Sequence, residues 1–303
     1  MNRGLLFIIL ITIFIQALLI FDSMLGSWDR LSVGAGTLSN FINEDVWPPD
    51  WGVFDPTWSV SCSASPRFDF TCSKAWIGLI ETLQIAFVAT VFGAMLSLPF
   101  SLLAARNLNP RWLSYSSRFL LASFRSMPSL IWAILFVIVI GFGPVSGVLA
   151  MTLYTVGYLG KLQYEAMEGM TKPPLDAANA IGLSKFETSF FVVIPESAND
   201  LISQAIFMFE YNFRHGTVIG IVGAGGIGYF IDLSLMALDY RSVLAYLILI
   251  YVVVIIIDLV SIFARSFFTE EEDILIPSWI EVFTPESIIS LFKYTKGQIN
   301  GKQ

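Results

Sequence analysis

Glu210 and Arg214 are the residues whose types and spacing most directly suggest chemistry, because they interrupt an apolar stretch running from Leu201 to Ile231. On insertion scales a charge near a bilayer centre costs about 2.5–3.5 kcal/mol, so neither is expected to face lipid. They lie four residues apart on one helical face with the Glu nearer the N-terminus, the better order for pairing. Two readings stand side by side. In one, the pair fixes the rotation of a helix. In the other, Arg214 lines a path for an anion, and Glu210 tempers the attraction so that the cargo leaves. Asn212 lies off that face, placed to bond a neighbouring helix or a backbone group. A membrane-embedded hydrolase would need a nucleophile and a base, and the single His, His215, has no obvious partner. His215 therefore reads as a polar residue packed between helices. One His and two Cys are also too few ligands for an ordinary zinc or iron–sulfur site. No catalytic residue, metal or cofactor is expected in this chain.

Two further patterns carry weaker signals. Gly223-Ala224-Gly225-Gly226-Ile227-Gly228 fits G-x-G-x-x-G, which signifies dinucleotide binding only between the strand and helix of a βαβ unit. Here it lies near the end of an apolar span, where small residues let helices approach closely or let backbone bend. No G-x-x-x-x-G-K-[ST] loop occurs, so any ATP must be bound by another subunit. Cys62 and Cys72 lie in a polar segment after the first apolar run. A bond closing that short loop would be worth roughly 2–3 kcal/mol in the chain-entropy model. The alternative is two unrelated thiols.

The elements that must position these residues follow from composition. Of 303 residues, 55% are hydrophobic and 14% charged, against roughly 25% charged in an average soluble domain. With a net charge of −7 and no basic block, disorder and nucleic-acid binding are both excluded. The chain is an all-α integral membrane protein in contact with lipid. A helical span needs about 20 apolar residues to cross about 30 Å. Six are expected: Gly4 to Phe21, Thr82 to Ala105, Phe119 to Ile140, Pro144 to Gly160, Leu201 to Ile231 and Ser242 to Ala264. The first is long for a signal peptide and no A-x-A site follows it, so it reads as an anchor. The third and fourth meet at a tight turn, Gly141-Phe142-Gly143-Pro144. Positive charge then sets the orientation. Arg3, Arg106, Arg111, Arg118, Arg125, Lys161, Lys172, Lys185 and Arg265 all fall on one side, which is assigned to the cytoplasm with both termini. The expected divisions are an anchor over 1–22, an extracytoplasmic loop over 23–74, a transmembrane core over 75–268 and a cytoplasmic tail over 269–303. Asp258 sits in the inner half of the last span. It either reaches water or is hydrogen-bonded inside the assembly, unless it serves as the ion relay of a stand-alone channel or secondary transporter for small anions.

The loop between the fourth and fifth spans is the most informative segment. Pro173 and Pro174 precede a short helix; Ala177, Ala178 and Ala180 give it a slim surface, and Gly182 ends it. That physics suits a docking element. Asp176-Ala177-Ala178, then Gly182, then Val192-Val193-Ile194-Pro195 resembles the E-A-A-x3-G-x9-I-x-L-P signature of permease subunits of ABC importers. Asp176 stands for the usual Glu, and Val192 and Ile194 for Ile and Leu. The resemblance implies a type I importer-like fold in the bacterial inner membrane, with a coupling helix here, and no enzymatic activity in this chain. Asp176, Ala177, Ala178, Gly182 and Pro195 would then engage a cytoplasmic ABC ATPase dimer, which binds ATP and Mg. A narrower likeness to phosphonate-type permeases runs from about residue 40 to residue 265. It is carried by Pro48-Pro49-Asp50-Trp51, Glu81-Thr82-Leu83-Gln84-Ile85-Ala86, Ala104-Ala105-Arg106-Asn107, Phe209-Glu210-x-Asn212-x-Arg214 and Thr217-Val218-Ile219-Gly220. It implies a second permease copy, an outer phosphonate-binding protein, and phosphonate, phosphite or a related phosphorus oxyanion as cargo. Against that background, a disulfide between Cys62 and Cys72 is expected to brace the loop where the binding protein docks.

Overall fold

The computed structural model describes residues 3–57 and 69–266. Helix α1 (Arg3–Leu25) is followed by α2 (Asp29–Phe41) and two short 3₁₀ turns at Trp51–Phe54 and Asp69–Cys72. Then come α3 (Lys74–Ala104), α4 (Arg111–Ser126), α5 (Ser129–Ile140), α6 (Pro144–Gly169) and α7 (Lys172–Ala180). A wound segment of α8 (Lys185–Thr188), a π turn and α9 (Ile194–Glu196) leads into α10 (Ala198–Ile219), α11 (Ile227–Met236) and α12 (Tyr240–Ser266). Among the described residues β pairing is confined to an isolated bridge between Pro56 and Ser73, so the protein is all-α as expected. Helices α1, α3, α6 and α12 are each long and apolar enough to cross a membrane. The total reaches six only if the bent pairs α4–α5 and α10–α11 each count as one span. Helix α1 runs to Leu25 and none of the residues of its apolar window is buried, so lipid or another protein must cover it. The segment after it, read as a loop, holds α2. It is tied to the start of α12, where Asp50 N–H donates to the Arg241 carbonyl at 3.1 Å. Cys72 is buried at the end of its 3₁₀ turn; Cys62 and the tail from residue 267 lie outside the described residues.

The third span differs from the expected helix starting at Phe119. The chain turns by 81° between α4 and α5, and Pro128 is the cause. Lacking an N–H, Pro128 cannot donate to the carbonyl of Phe124, and its ring excludes a continuous helix. The freed carbonyl is taken by the Trp132 indole, Nε1 donating at 3.1 Å from the first turn of α5. Trp132→Phe should therefore lower stability by about 0.5–1.5 kcal/mol, the net worth of one part-buried hydrogen bond. The check is a lower thermal midpoint of the purified protein in detergent, with helix content retained.

Polar and small residues hold the central helices together where lipid gives no hydrophobic drive. Ser97 and Ser101 of α3 both donate to Gln163 Oε1 of α6 at 2.9 Å. Leu121 of α4 lies against Gly157 and Gly160 of α6, where any Cβ would collide with it. The glycine stretch after α10 is a helix break rather than a nucleotide loop. Gly226 has φ +79°, and a Cβ on it would stand 2.6 Å from Thr82 Oγ1. That same hydroxyl accepts from Ile227 N–H at 2.8 Å, so α3 caps the start of α11. Backbone approach is the reason for these glycines, and no βαβ unit surrounds them among the described residues.

Candidate coupling surface and charged centre

Helix α7 starts with prolines in its first turn, where a missing N–H costs nothing. It ends in a Schellman motif: Gly182 N–H donates to the Asn179 carbonyl and Leu183 N–H to the Ala178 carbonyl, each at 3.1 Å. Gly182 adopts φ +78°, and a Cβ there would meet nothing within 4 Å. Its requirement within this chain is therefore the left-handed dihedral and not lack of room. One face of the helix packs inward. Ala178 is buried, and Leu175 lies against a cluster of Ala105 and Leu108 just after α3, Met167 in the last turn of α6 and Val193 in the π turn before α9. The other face is open. Asp176, Ala177 and Ala180 are exposed, and beyond them Ile181 is 75% and Phe186 71% exposed. Pro195 is exposed in the short α9, two residues after the buried Val193. The signature thus divides: Ala178 and Val193 seat the loop, while Asp176, Ala177, Gly182 and Pro195 face outward.

The segment after Gly182 is braced by a capping box. Ser184 Oγ accepts from Glu187 N–H at 3.3 Å, and Glu187 Oε2 accepts from Ser184 N–H at 2.8 Å. The Ser184 hydroxyl first, then its backbone N–H, hold the Glu187 carboxyl below its usual value of 4.5. Because the folded value is the lower one, this capping is present above that usual value and is lost as pH falls through the folded one.

Glu210 and Arg214 do pair, Nη2 to Oε2 at 3.3 Å, but as half of a four-residue network. Arg265 of α12 donates to the other oxygen of Glu210 at 2.9 Å, and Arg214 also reaches Asp258 at 3.4 Å. Formal charges of two carboxylates and two guanidiniums cancel. The Glu210 side chain is 6% exposed while those of Arg214 and Asp258 are 45% and 39% exposed. Arg265 lies in the last turn of α12 while Glu210 and Arg214 lie in the second half of α10, so the network ties the body of α10 to the end of α12. Asn212 is fully buried and bonds neighbouring helices, Nδ2 donating at 2.9 Å to Thr90 of α3 and to Thr155 of α6. Arg265 entered the sequence argument only through its charge. A separation of 55 residues hides its contact with Glu210 from any local pattern.

Residues 97–267 match the family model described as a binding-protein-dependent transport system inner membrane component, which covers more than half of the chain. The chain belongs to this family. The permease is 39% identical over 202 residues to the phosphite transport system permease protein PtxC of Stutzerimonas stutzeri, covering 66% of this chain and 74% of that one. It is 35% identical over 202 residues to the phosphate-import permease protein PhnE of Mycolicibacterium smegmatis, covering 66% of this chain but 38% of that longer one. Its fold is similar to that of the inward-facing MetNI methionine ABC transporter, with TM-score 0.57 and 23% identity over 64% of this chain and 97% of that one. The permease is therefore an inner membrane component of type I importer fold. At the α7 end of its bundle, Glu168 of α6 accepts from Arg118 of α4 and, at 2.6 Å, from the backbone N–H of Arg106. Arg118 also stacks over Tyr164 at 4.2 Å, which fastens α4 to α6 beside the seat of α7.

Proposed function

We propose that this permease is the membrane path of an ATP-driven importer for phosphite, phosphonate or a related phosphorus oxyanion. The cargo class rests on the names of its relatives, the coupling role on one observation. Helix α7 packs on the π turn before α9, and its Leu175 lies in a cluster with Ala105 at the end of α3 and Met167 at the end of α6, while its slim face and Ile181 stand open. A helix seated this way passes a push from outside directly to two spanning helices. An ABC ATPase dimer binds ATP and Mg and draws the α7 helices of two permease copies together. The pore then opens outward to a loaded binding protein. The chain supplies path and transmission and no covalent step; uptake needs only differential contacts in two states. The positive charge of Arg106, Arg111 and Arg118 with Lys161, Lys172 and Lys185 supports a cytoplasmic α7 end, together with the start of α1 and the end of α12. On this reading Cys62 and Cys72 lie in the oxidising compartment and form a disulfide.

The test is site-directed cross-linking in the assembled complex. Ile181→Cys should join to the ATPase subunit and be shielded from thiol reagents by it. Phe87→Cys, on the exposed face of α3, should do neither. Equal labelling of Ile181→Cys with and without the ATPase would overturn the coupling assignment.

A further inference from the structure

The bend between α4 and α5 opens a cavity of about 350 Å³, within the roughly 300–1,000 Å³ of small-molecule sites. Arg125 lines it from the last turn of α4. Sequence places Arg125 with the cytoplasmic arginines; the structure does not. Its backbone N stands 2.7 Å from where a Cβ on Gly157 would be, at the midpoint of the 26-residue α6 and about 20 Å along it from Pro144. A cation at that depth is a functional residue by default. Arg125 makes no ion pair or side-chain hydrogen bond among the described residues, and no carboxylate lines the cavity. Arg214, by contrast, is already neutralised by Glu210 and Asp258.

The groups facing Arg125 complete an anion-binding set. Helix α5 has 12 residues and Pro128 at its N-cap offers no side-chain cap; Ile131 and Trp132 N–H bond the Pro128 carbonyl, and Ser129 and Leu130, whose N–H groups precede them, line the cavity. Ser129 is 7% exposed, lines the cavity, and its hydroxyl has no partner among the described residues. Across the cavity Tyr154 and Tyr211 share a hydroxyl–hydroxyl bond of 2.8 Å, which leaves one further O–H to donate. His215 stacks on Tyr211 at 3.8 Å. Its Nδ1 lies 3.0 Å from the Tyr211 carbonyl, and since a carbonyl only accepts, Nδ1 carries the proton. In the neutral ring Nε2 is then an acceptor, suited to the hydroxyl of a singly protonated oxyanion.

We propose that this cavity is a relay site for a tetrahedral phosphorus oxyanion within the permease, with Arg125 as its cation and Ser129, the Tyr154–Tyr211 pair and His215 as its polar frame. The site rests on the cargo class proposed above. The test uses the complete transporter, with ATPase and binding protein, in proteoliposomes supplied with phosphite. Arg125→Gln should raise the phosphite concentration for half-maximal uptake or cut its rate by about tenfold or more, the loss of one charge-assisted hydrogen bond. Assembly and ATP hydrolysis stimulated by the loaded binding protein should persist, and Arg125→Lys should recover part of the uptake. Ser129→Ala, which removes one unpartnered oxygen without disturbing packing, should show a smaller loss of the same kind. Unchanged uptake in Arg125→Gln overturns the relay site while the importer reading stands. Should Arg125→Gln fail to assemble, unchanged uptake in Ser129→Ala overturns it. A transporter of unaltered sequence that moves no phosphorus oxyanion sinks the importer reading itself.

Discussion

Gly182→Leu should leave the permease folded in the membrane and abolish transport. The left-handed dihedral at Gly182 costs an L-residue roughly 1–2 kcal/mol, enough to shift a local equilibrium several-fold but small against the stability of the whole bundle. Relief comes by unwinding the Schellman bonds to Asn179 and Ala178, which re-aims Ile181 and the capping box behind it. The ATPase then meets a surface of the wrong shape. Because a Cβ at this position finds open space within the chain, Gly182→Asn is the informative control. Asn tolerates the left-handed region and should keep much of the uptake. Uptake by proteoliposomes and co-purification of the ATPase read the outcome. If Gly182→Leu transports at the original rate with the complex intact, α7 is not the coupling helix.

Removing the Glu210 carboxylate should be the most damaging single change in the charged network. Glu210→Gln removes the carboxylate that both guanidiniums share, leaving Arg214 with Asp258 and Arg265 without its 2.9 Å contact. Arg214→Gln should be milder, because Glu210 keeps its 2.9 Å contact with Arg265. The exchange of Glu210→Arg with Arg214→Glu should not restore assembly. It sets a guanidinium against Arg265 and a carboxylate against Asp258, two repulsions where an isolated pair would show none. Yields of intact complex and thermal midpoints in detergent rank the three variants. Equal damage from Glu210→Gln and Arg214→Gln, or full recovery by the exchange, would mean that Arg265 and Asp258 lie outside the network.

Much of this molecule is legible in its sequence because local spacing encodes it. The i, i+4 order of Glu210 and Arg214 announces their contact, and Asn212 off that face announces bonds to other helices. The prolines before α7 and the glycine after it mark both its ends. What stays hidden depends on depth and on distant partners. An apolar count runs through Pro128 without registering that its missing N–H turns the chain by 81°. Arg125 looks like one more positive charge after a span until the packing of α4 along α6 sets it beside Gly157, in the middle of α6. Arg265 looks like an orientation signal, yet it holds the second oxygen of Glu210.

The most direct measurement of the importer reading is uptake of labelled phosphite into proteoliposomes carrying the permease, its ATPase and its binding protein. Accumulation should require ATP and all three components, and should vanish when the permease is reconstituted alone. Phosphite entry through the permease alone, indifferent to ATP and to the binding protein, would instead establish a channel or secondary transporter and contradict the account.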